Sequence, residues 1–236
     1  MNEQTVRTKM LLGDDALQKL ANSHVAVFGI GGVGSYCAEA LARAGVGQLT
    51  LIDDDTVSVS NLNRQLVALH STIGKAKTDV MAQRIHDIAP DCKVNVLTRR
   101  YTPEDRDGFF SPTPDYIADC IDSVSCKTDL IATALKNEIS IISAMGTGNK
   151  LDPSKFVITD LSKTSGCPLA RVMRRELKKL GILHHTVLYS TEPAMTPLFQ
   201  PQDNSRVPGS VSWVPSCAGL MMAGYIITAL IGRTHS

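Results

Sequence analysis

The sequence has almost no net charge, no leader-like apolar segment and no closely paired cysteines. Its 236 residues include 24 Lys and Arg against 23 Asp and Glu, a formal net charge of +1. No global field therefore attracts an anionic partner, and any contact with a nucleic acid needs a local basic patch. The six cysteines include no C-x-x-C pair, which argues against a disulfide framework and a four-cysteine zinc site. Residues 1–9 lack the apolar core of a secretory signal, so we expect a cytoplasmic chain.

One C-terminal stretch, residues 213–232, has no charged side chain, so it must be considered as a possible membrane span. It is interrupted by Pro215, Ser216, Gly219 and Gly224, which makes it marginal as a span of about 20 predominantly apolar residues. We predict a buried C-terminal helix, with a membrane anchor as the alternative.

Apolar β-branched runs alternate with helical patterns over the first 145 residues, and no internal repeat is present. This alternation predicts an α/β fold, with a Rossmann-like, mostly parallel sheet and flanking helices. The predicted strands are residues 25–28, 49–52, 94–97, 116–120 and 139–143, and the predicted helices are 33–44, 75–88 and 126–137.

After residue 145 the pattern changes and predicts a smaller α+β extension. The turn-rich segment 146–153 leads to a strand at 156–159 and a helix at 168–180, which Gly181 ends. Residues 189–208 contain four prolines and are predicted to form a long loop.

A glycine-rich segment follows the first predicted strand directly and precedes a helix. Residues 29–34 read G-I-G-G-V-G, in which Gly29, Gly31, Gly32 and Gly34 allow a tight turn and close approach of backbone amides to a phosphate. Asp53 follows the second strand, where such folds place a carboxylate on the ribose. Together these features predict a nucleotide site.

The residues after Asp53 differ from those of a dehydrogenase. The segment 53–65, D-D-D-T-V-S-V-S-N-L-N-R-Q, and the segment 73–77, I-G-K-A-K, resemble the ThiF/MoeB superfamily, whose members adenylate a carboxylate with ATP. The resemblance implies that Asp53 binds ribose, that Asp55 belongs to the nucleotide site, that Asn61 and Arg64 bind phosphates, and that Lys77 contacts the triphosphate at the reacting centre. Lys75 is a weaker candidate, since Lys77 closes the G-x-x-K spacing.

Elementary chemistry agrees with this resemblance. Attack of a carboxylate on the α-phosphorus requires cations on the departing pyrophosphate, and Arg64, Lys75 and Lys77 supply them. Hydride transfer by an NAD-binding oxidoreductase, which the glycine pattern alone would also allow, needs none of these cations.

Two further positions are implied by the resemblance. Residues 119–123, D-C-I-D-S, match an element whose second acid lies near the metal, so Asp122 is the candidate Mg²⁺ ligand and a catalytic residue beside Arg64 and Lys77. Asp119 is a candidate cap of the following helix. Arg7 matches an N-terminal arginine that relatives place in the neighbouring subunit's ATP site.

Three other segments narrow the resemblance to one branch. The opening residues 7–13, residues 145–153 (M-G-T-G-N-K-L-D-P) and residues 164–177 (T-S-G-C-P-L-A-R-V-M-R-R-E-L) are similar to the tRNA threonylcarbamoyladenosine dehydratase family. The implied reaction is ATP-dependent cyclisation of the threonylcarbamoyl group on tRNA, with loss of water. Residues 1–145 would form the ATP-binding domain and residues 146–236 a substrate-binding and dimerisation extension of the same fold unit.

The predicted helix at 168–180 has a basic face that bears on RNA. Its cations are Arg171, Arg174, Arg175, Lys178 and Lys179, set against Glu176. Such a face contacts RNA phosphates or is simply solvated, and the family resemblance favours RNA. The buried stripe is predicted as Val172, Met173, Leu177 and Leu180.

The remaining reactive side chains are predicted to be structural. Cys120 and Cys217 are assigned to the core, and Cys167, at a helix start where a thiolate could be stabilised, is assigned to packing. His184 and His185 point to opposite faces if extended and are treated as structural.

Partners follow partly from the residues and partly from the resemblance. The apolar run 218–231 leaves more hydrophobic surface than one small domain covers, which predicts a homodimer. The resemblance implies tRNA as substrate and admits a cysteine desulfurase or sulfur-acceptor protein as a partner, with no role for DNA. An activator of a ubiquitin-like or sulfur-carrier protein stays the alternative function, although the paired C-x-x-C zinc ligands of those branches are absent.

Overall fold

The computed structural model describes residues 3–199 and 207–233. Its strands form one seven-stranded sheet in the order β3-β2-β1-β4-β5-β7-β6, and only the β6–β7 pair is antiparallel. The strands are β1 His24–Phe28, β2 Gln48–Ile52, β3 Lys93–Leu97, β4 Tyr116–Asp119, β5 Ser140–Ala144, β6 Phe156–Asp160 and β7 Thr186–Ser190. The helices are α1 Val6–Leu12, α2 Asp14–Ala21, α3 Gly34–Arg43, α4 Lys77–Ile88, α5 Val124–Lys136, α6 Pro168–Lys179 and α7 Trp213–Leu230.

The central strands are apolar because helices cover both faces of the sheet. All of β1 is buried, and its side chains alternate between two cores: Val25 and Val27 join one, whereas Ala26 and Phe28 join the other. The first core is covered by α2, α3, α4 and α7, and the second by α5 and α6. The predicted α/β architecture is therefore confirmed.

The C-terminal helix α7 is a core helix that packs against α3. A Cβ on Gly219 would lie 2.2 Å from the Val33 carbonyl oxygen, so only glycine permits this approach. Its buried side chains include Val214, Ala218, Met222 and Ile226, spaced by four residues along one face. By length and composition α7 would also suit a membrane span, a test that buried core helices pass as well.

Most predicted elements are found within two residues of their predicted ends, but one strand was missed. β7 was not predicted, and the loop predicted at 189–208 begins only after Ser190. The β7 strand is short, and it is buried because β5 pairs with it on one side and β6 on the other. Residues 200–206 of that loop lie outside the described residues. The N-terminal helices α1 and α2 were also not predicted.

The extension continues the same sheet. β7 pairs with β5 through Ser143 and Ala144, and Phe156 and Leu188 enter the first core together with α3 and α7. Residues on both sides of the boundary predicted at residue 145 thus share one sheet and both cores.

A buried polar network crosses the second core beneath the carboxyl edge of the sheet. Lys127 and Asp119 are both completely buried and form an ion pair at 2.7 Å. The Asp119 carboxylate also interacts with the Ser143 hydroxyl, whose Oγ lies 2.8 Å from Nε2 of His185. This network gives each buried polar group a partner, as burial demands.

Acid should weaken the fold through His185. Burial lowers the pKa of His185 to about 4, and Lys127 acts in the same direction while Asp160 opposes it. The unfolded chain therefore binds a proton that the folded chain does not, between about pH 6.5 and pH 4, so stability is lost as the pH falls through this range. The loss corresponds to about 3 kcal/mol, and urea unfolding of wild type and His185→Gln at several pH values should show a smaller loss in the variant by about that amount.

Ser143→Ala separates burial from hydrogen bonding in this experiment. It removes the hydroxyl partner but leaves the imidazole buried, so its overall stability should fall while the pH dependence persists. An unchanged pH dependence in His185→Gln would contradict the assignment.

Candidate nucleotide site at the carboxyl edge of the sheet

The candidate site lies where three neighbouring strands end. Phe28 pairs with Ile52 of β2 and with Asp119 of β4, so the residues that follow these strands meet at one edge of the sheet. Ligands of open α/β sheets bind outside this edge. The motifs found in the sequence around Gly29, Asp53 and Asp122 are therefore brought together.

Two of the four predicted loop glycines are required by packing. A Cβ on Gly34 would lie 1.8 Å from the Gly29 carbonyl oxygen, and Gly29 itself has φ +88° and lies against the Cys120 carbonyl. Gly31 differs, because the nearest atom to its missing Cβ is Nε2 of Gln65 at 3.8 Å. Beside it, the Cβ position of Gly32 lies 3.2 Å from Pro215 at the start of α7. The loop thus leaves open space at Gly31, where a phosphate can approach.

Asp53 anchors this loop to the end of β2. Its Oδ2 accepts a 2.6 Å hydrogen bond from the Ile30 amide, and its Oδ1 accepts one at 2.9 Å from the Asp55 amide. Burial raises the pKa of Asp53, and the nearby Lys77 charge opposes that shift. Each carboxylate oxygen keeps a second lone pair, so Asp53 retains capacity for a ribose hydroxyl.

Lys77 lies inside the site, whereas Lys75 faces solvent. Lys77 is the first residue of α4, and its side chain is only 6% exposed. Its ammonium lies 2.6 Å from Asp55 Oδ2 and 4.0 Å from Asp53 Oδ1. Of the two predicted lysines, Lys77 therefore lies beside Asp53 and Asp55, whereas Lys75 is exposed.

Arg64 lies beside the glycine loop, and Asn61 shapes the turn that presents it. Oδ1 of Asn61 accepts a hydrogen bond from the Ser58 amide at 3.1 Å. Arg64 Nη1 donates to the Ser60 carbonyl at 2.8 Å and to Asn63 Oδ1 at 3.0 Å. Among residues 3–199 and 207–233, no acceptor engages Nε or Nη2 of Arg64, so those N–H groups remain for an anion.

Gln65 lies beside the glycine loop and was not among the residues predicted for the site. Its Oε1 is buried without a hydrogen-bond partner in the described part of the chain. A buried polar group left unpaired costs about 1–3 kcal/mol. The Nε2 donor of the same amide lies 3.8 Å from the Cβ position of Gly31, so Gln65 borders the open side of the glycine loop. The available signal was its place directly after Arg64 in the same motif.

The two aspartates of the 119–123 segment lie in different environments, one exposed and one buried. Asp122 is exposed in the loop after β4, where its carboxylate is accessible to a cation. The prediction that Asp119 caps a helix is wrong, because its carboxylate is fully buried against Lys127 and Ser123 precedes α5 instead. The oxygens of Asp53, Asp54 and Asp55 lie within 4.8 Å of one another and offer a second position for a cation.

Arg7 is not brought to this edge by its own chain. It is exposed on α1, and the residues just before it, Gln4 and Thr5, lie near Ile88 and Gly45 at the amino ends of β3 and β2. The prediction that Arg7 acts at a neighbouring subunit's site stays a prediction.

Helix α6 carries most, but not all, of its predicted basic face. Arg171, Arg175, Lys178 and Lys179 are exposed. The charges of Arg175 and Lys179 are partly balanced, because both side chains contact Glu176. Arg174 instead turns inward and donates to the carbonyl and hydroxyl of Thr164, since it lies next to the packed stripe.

The stripe itself needs one correction. Ala170, Met173 and Leu177 are buried, whereas Leu180, predicted to be buried, is 55% exposed because α6 ends before it. Val172 is only partly buried.

The cysteines and histidines have structural environments. Cys167 is buried, and Cys120 and Cys217 are partly buried. Burial raises the pKa of Cys120 well above its ordinary value, which disfavours a reactive thiolate. His184 is exposed beside Asp160, and His185 is buried against Ser143.

The sequence of this chain is similar to one protein family over nearly its whole length. The ThiF family model matches residues 4–236. The tRNA threonylcarbamoyladenosine dehydratase of Bacillus subtilis is 42% identical over 243 residues, which cover 98% of this chain and 96% of the relative. The Escherichia coli protein of the same name is 43% identical and covers 80% of this chain and 74% of the relative.

A solved structure shares both the fold and the extension. The E. coli tRNA N6-threonylcarbamoyladenosine dehydratase in complex with ATP superposes with a TM-score of 0.87 at 37% identity, covering 99% of this chain and 97% of that one. The chain therefore belongs to the ThiF family and, within it, to the tRNA threonylcarbamoyladenosine dehydratases.

Proposed function

We propose that this chain uses ATP to adenylate the carboxylate of threonylcarbamoyladenosine on tRNA and then closes that side chain into a ring, with net loss of water. The observation that carries the proposal is the convergence of the open Gly31 loop, the Asp53 carboxylate and the buried Lys77 at one sheet edge. Relatives that match nearly the whole chain are named tRNA threonylcarbamoyladenosine dehydratase, and the structure of one of them was solved in complex with ATP.

The first step joins the substrate carboxylate to the α-phosphorus. A carboxylate oxygen forms the new bond, the bond from the α-phosphorus to the bridging oxygen breaks, and pyrophosphate leaves with the electron pair. Arg64 and Lys77 stabilise the charge that develops on the pyrophosphate. Asp53 holds the ribose, and Asn61 and the loop amides position the phosphates.

The second step needs no protein nucleophile. A nitrogen or oxygen of the same side chain attacks the activated acyl carbon, the acyl–oxygen bond to AMP breaks, and the attacking group loses its proton. The oxygen lost from the substrate leaves with AMP. Positioning supplies a large part of the acceleration because both reacting groups belong to one molecule.

Carboxylate chemistry at this edge suits Mg²⁺, which prefers oxygen ligands. Asp122 would hold the ion, with the Asp53–Asp55 group as a second source of oxygens. When bound, Mg²⁺ neutralises negative charge on the phosphates.

A cytoplasmic homodimer is part of this proposal. Met10 and Leu11 of α1 are 77% and 79% exposed, and Leu220 projects from the open side of α7, so apolar surface lies near both chain ends. A second copy would cover it and bring Arg7 towards a neighbouring site. A sulfur-acceptor protein stays a candidate partner.

The decisive experiment is mass spectrometry of tRNA nucleosides after incubation with the protein and ATP. A product lighter by one water, with release of AMP and pyrophosphate, is expected from threonylcarbamoyladenosine-containing tRNA. Release of AMP with a ubiquitin-like or sulfur-carrier protein, and none with tRNA, would instead favour the alternative activator function.

Substitution of the loop glycines should separate binding from folding. Gly31→Ala has room for its Cβ in the protein but obstructs a phosphate, so it should keep the wild-type unfolding temperature and bind ATP about tenfold or more weakly. Gly34→Ala forces a clash with the Gly29 carbonyl and should lower stability as well. Calorimetric ATP titration and thermal unfolding measure both effects, and Gly224→Ala, which meets open space, is the control.

Removal of either site cation should reduce turnover more than ATP affinity. Arg64→Ala and Lys77→Ala remove charges that act on the departing pyrophosphate, for which losses of about 10²–10³ in kcat are typical. The exposed Lys75→Ala is the matched control and should turn over like the wild type. Equal losses in kcat and in ATP affinity would show simple ground-state binding.

The exposed face of α6 should contact tRNA phosphates. Arg171→Gln, Arg175→Gln and Lys178→Gln together should weaken tRNA binding and reduce its log–log salt slope by up to about one unit per lost contact. ATP binding should survive, because the site lies on other elements. Arg174→Gln changes an inward charge and serves as the comparison; wild-type tRNA binding by the triple variant at every salt concentration would remove α6 from the interface.

A further inference from the structure

One exposed side chain joins the nucleotide motif to the far end of the chain. Asn63 Oδ1 accepts a 3.0 Å hydrogen bond from Arg64 Nη1, while Asn63 Nδ2 donates a 2.9 Å hydrogen bond to the Ser210 carbonyl. The two contacts use opposite ends of one amide, and Ser210 lies 147 residues away in sequence.

The segment that contains Ser210, residues 207–212, is held on its other side as well. Asn149 and Gly209 exchange two hydrogen bonds of 2.7 Å, from Asn149 N to the Gly209 carbonyl and from Gly209 N to Asn149 Oδ1. Gly148 leaves room for Pro208, which would lie 2.7 Å from a Cβ there. The segment therefore connects the loop after β5 to the residue beside Arg64.

The same segment leads directly into α7 over the glycine loop. Pro215 lies against Gly32, and the Arg64 Cγ lies 3.7 Å from the Gly32 Cβ position. Arg64 is thus bounded by the glycine loop on one side and by Asn63 on the other. The hydrogen-bonded link between residues 207–212 and the guanidinium runs through the Asn63 amide.

We propose that Asn63 is a positioning residue that orients the Arg64 guanidinium and couples it to residues 207–212. The Asn63 amide does both tasks with separate atoms: Oδ1 accepts from the guanidinium and Nδ2 donates to the carbonyl. The inference rests on the proposed function, in which Arg64 contacts the ATP phosphates. Nucleotide engagement of Arg64 then changes the position of residues 207–212, and the position of that segment changes nucleotide affinity by the same factor, because such coupling is reciprocal.

A double-mutant cycle tests whether Asn63 acts through Arg64. Steady-state AMP release with threonylcarbamoyladenosine-containing tRNA is measured for wild type, Asn63→Ala, Arg64→Ala and the double variant. Asn63→Ala should lower kcat/KM for ATP about tenfold, within the range of coupled neighbours, but by less than twofold when Arg64 is already Ala. Losses that multiply in the double variant would overturn the proposal.

Asn137→Ala is the matched control, since Asn137 is an exposed asparagine at the end of α5, away from the site. It should show wild-type kinetics. Thermal unfolding of Asn63→Ala should match the wild type, since Asn63 is exposed.

The coupling has a second readout that does not depend on turnover. Trp213 is the only tryptophan of the chain, lies three residues after Ser210 and donates from Nε1 to the Leu151 carbonyl at 2.7 Å. Its fluorescence should change when ATP is added to the wild type, and this response should be lost in Asn63→Ala. Asn63→Asp keeps the acceptor for Arg64 but removes the donor to Ser210, so it should also lose the response.

The two measurements separate this inference from the proposed function. Absence of AMP release by the wild type with tRNA would contradict the proposed function, while an ATP-dependent Trp213 response that is lost in both Asn63 variants would still support the coupling. No Trp213 response in the wild type, or an unchanged response in both Asn63 variants, would overturn the coupling whatever the substrate.

Discussion

The tight closure between Gly29 and Gly34 is the constraint on which the rest of the site depends. The chain leaves β1 and enters α3 with so little space that a single methyl group at Gly34 would occupy the position of the Gly29 carbonyl. This closure aims the Ile30 amide at Asp53 and leaves Gly32 free to receive Pro215 of α7. One backbone turn thereby fixes the positions of the glycine loop, Asp53 and the start of α7 relative to one another.

Buried charge is the second determinant of this edge, and it serves two different purposes. The Lys127–Asp119 pair is completely buried, so a ligand cannot contact it. Together with Ser143 and His185, this pair packs at the end of β4, just before the loop that contains Asp122. Lys77 is nearly as buried, but its partner Asp55 is 64% exposed on its side chain, so its ammonium borders the open site. Burying an unpaired charge is costly, and each lysine here has a carboxylate within hydrogen-bond distance.

Residues after 145 pack against the first part of the chain and contact the candidate nucleotide site. β7 adds to the edge of the sheet, and α6 presents cations from the opposite face of the sheet to α7. The segment before α7 returns to the nucleotide motif at Asn63. A substrate bound by the extension would therefore meet the nucleotide at an edge where both halves of the chain contribute residues.

Local patterns in the sequence were sufficient for the βαβ alternation, the G-x-G-x-x-G turn and the position of Asp53 after β2. Each of these depends on residues close together along the chain, where strand spacing, glycine freedom and helix periodicity act directly. The motif spacing also favoured Lys77 over Lys75, and in the folded chain Lys77 is the lysine that lies beside Asp53 and Asp55.

Other features exist only in the folded chain. β7 is a strand because β5 and β6 flank it, and Arg174 turns inward because Thr164 lies within reach. Asp119 pairs with Lys127 eight residues later, and Asn63 reaches Ser210 across most of the chain. The sequence therefore determined the elements and the motif residues, whereas the tertiary structure decided which polar groups meet, because hydrogen bonds between distant segments depend on packing that no local pattern records.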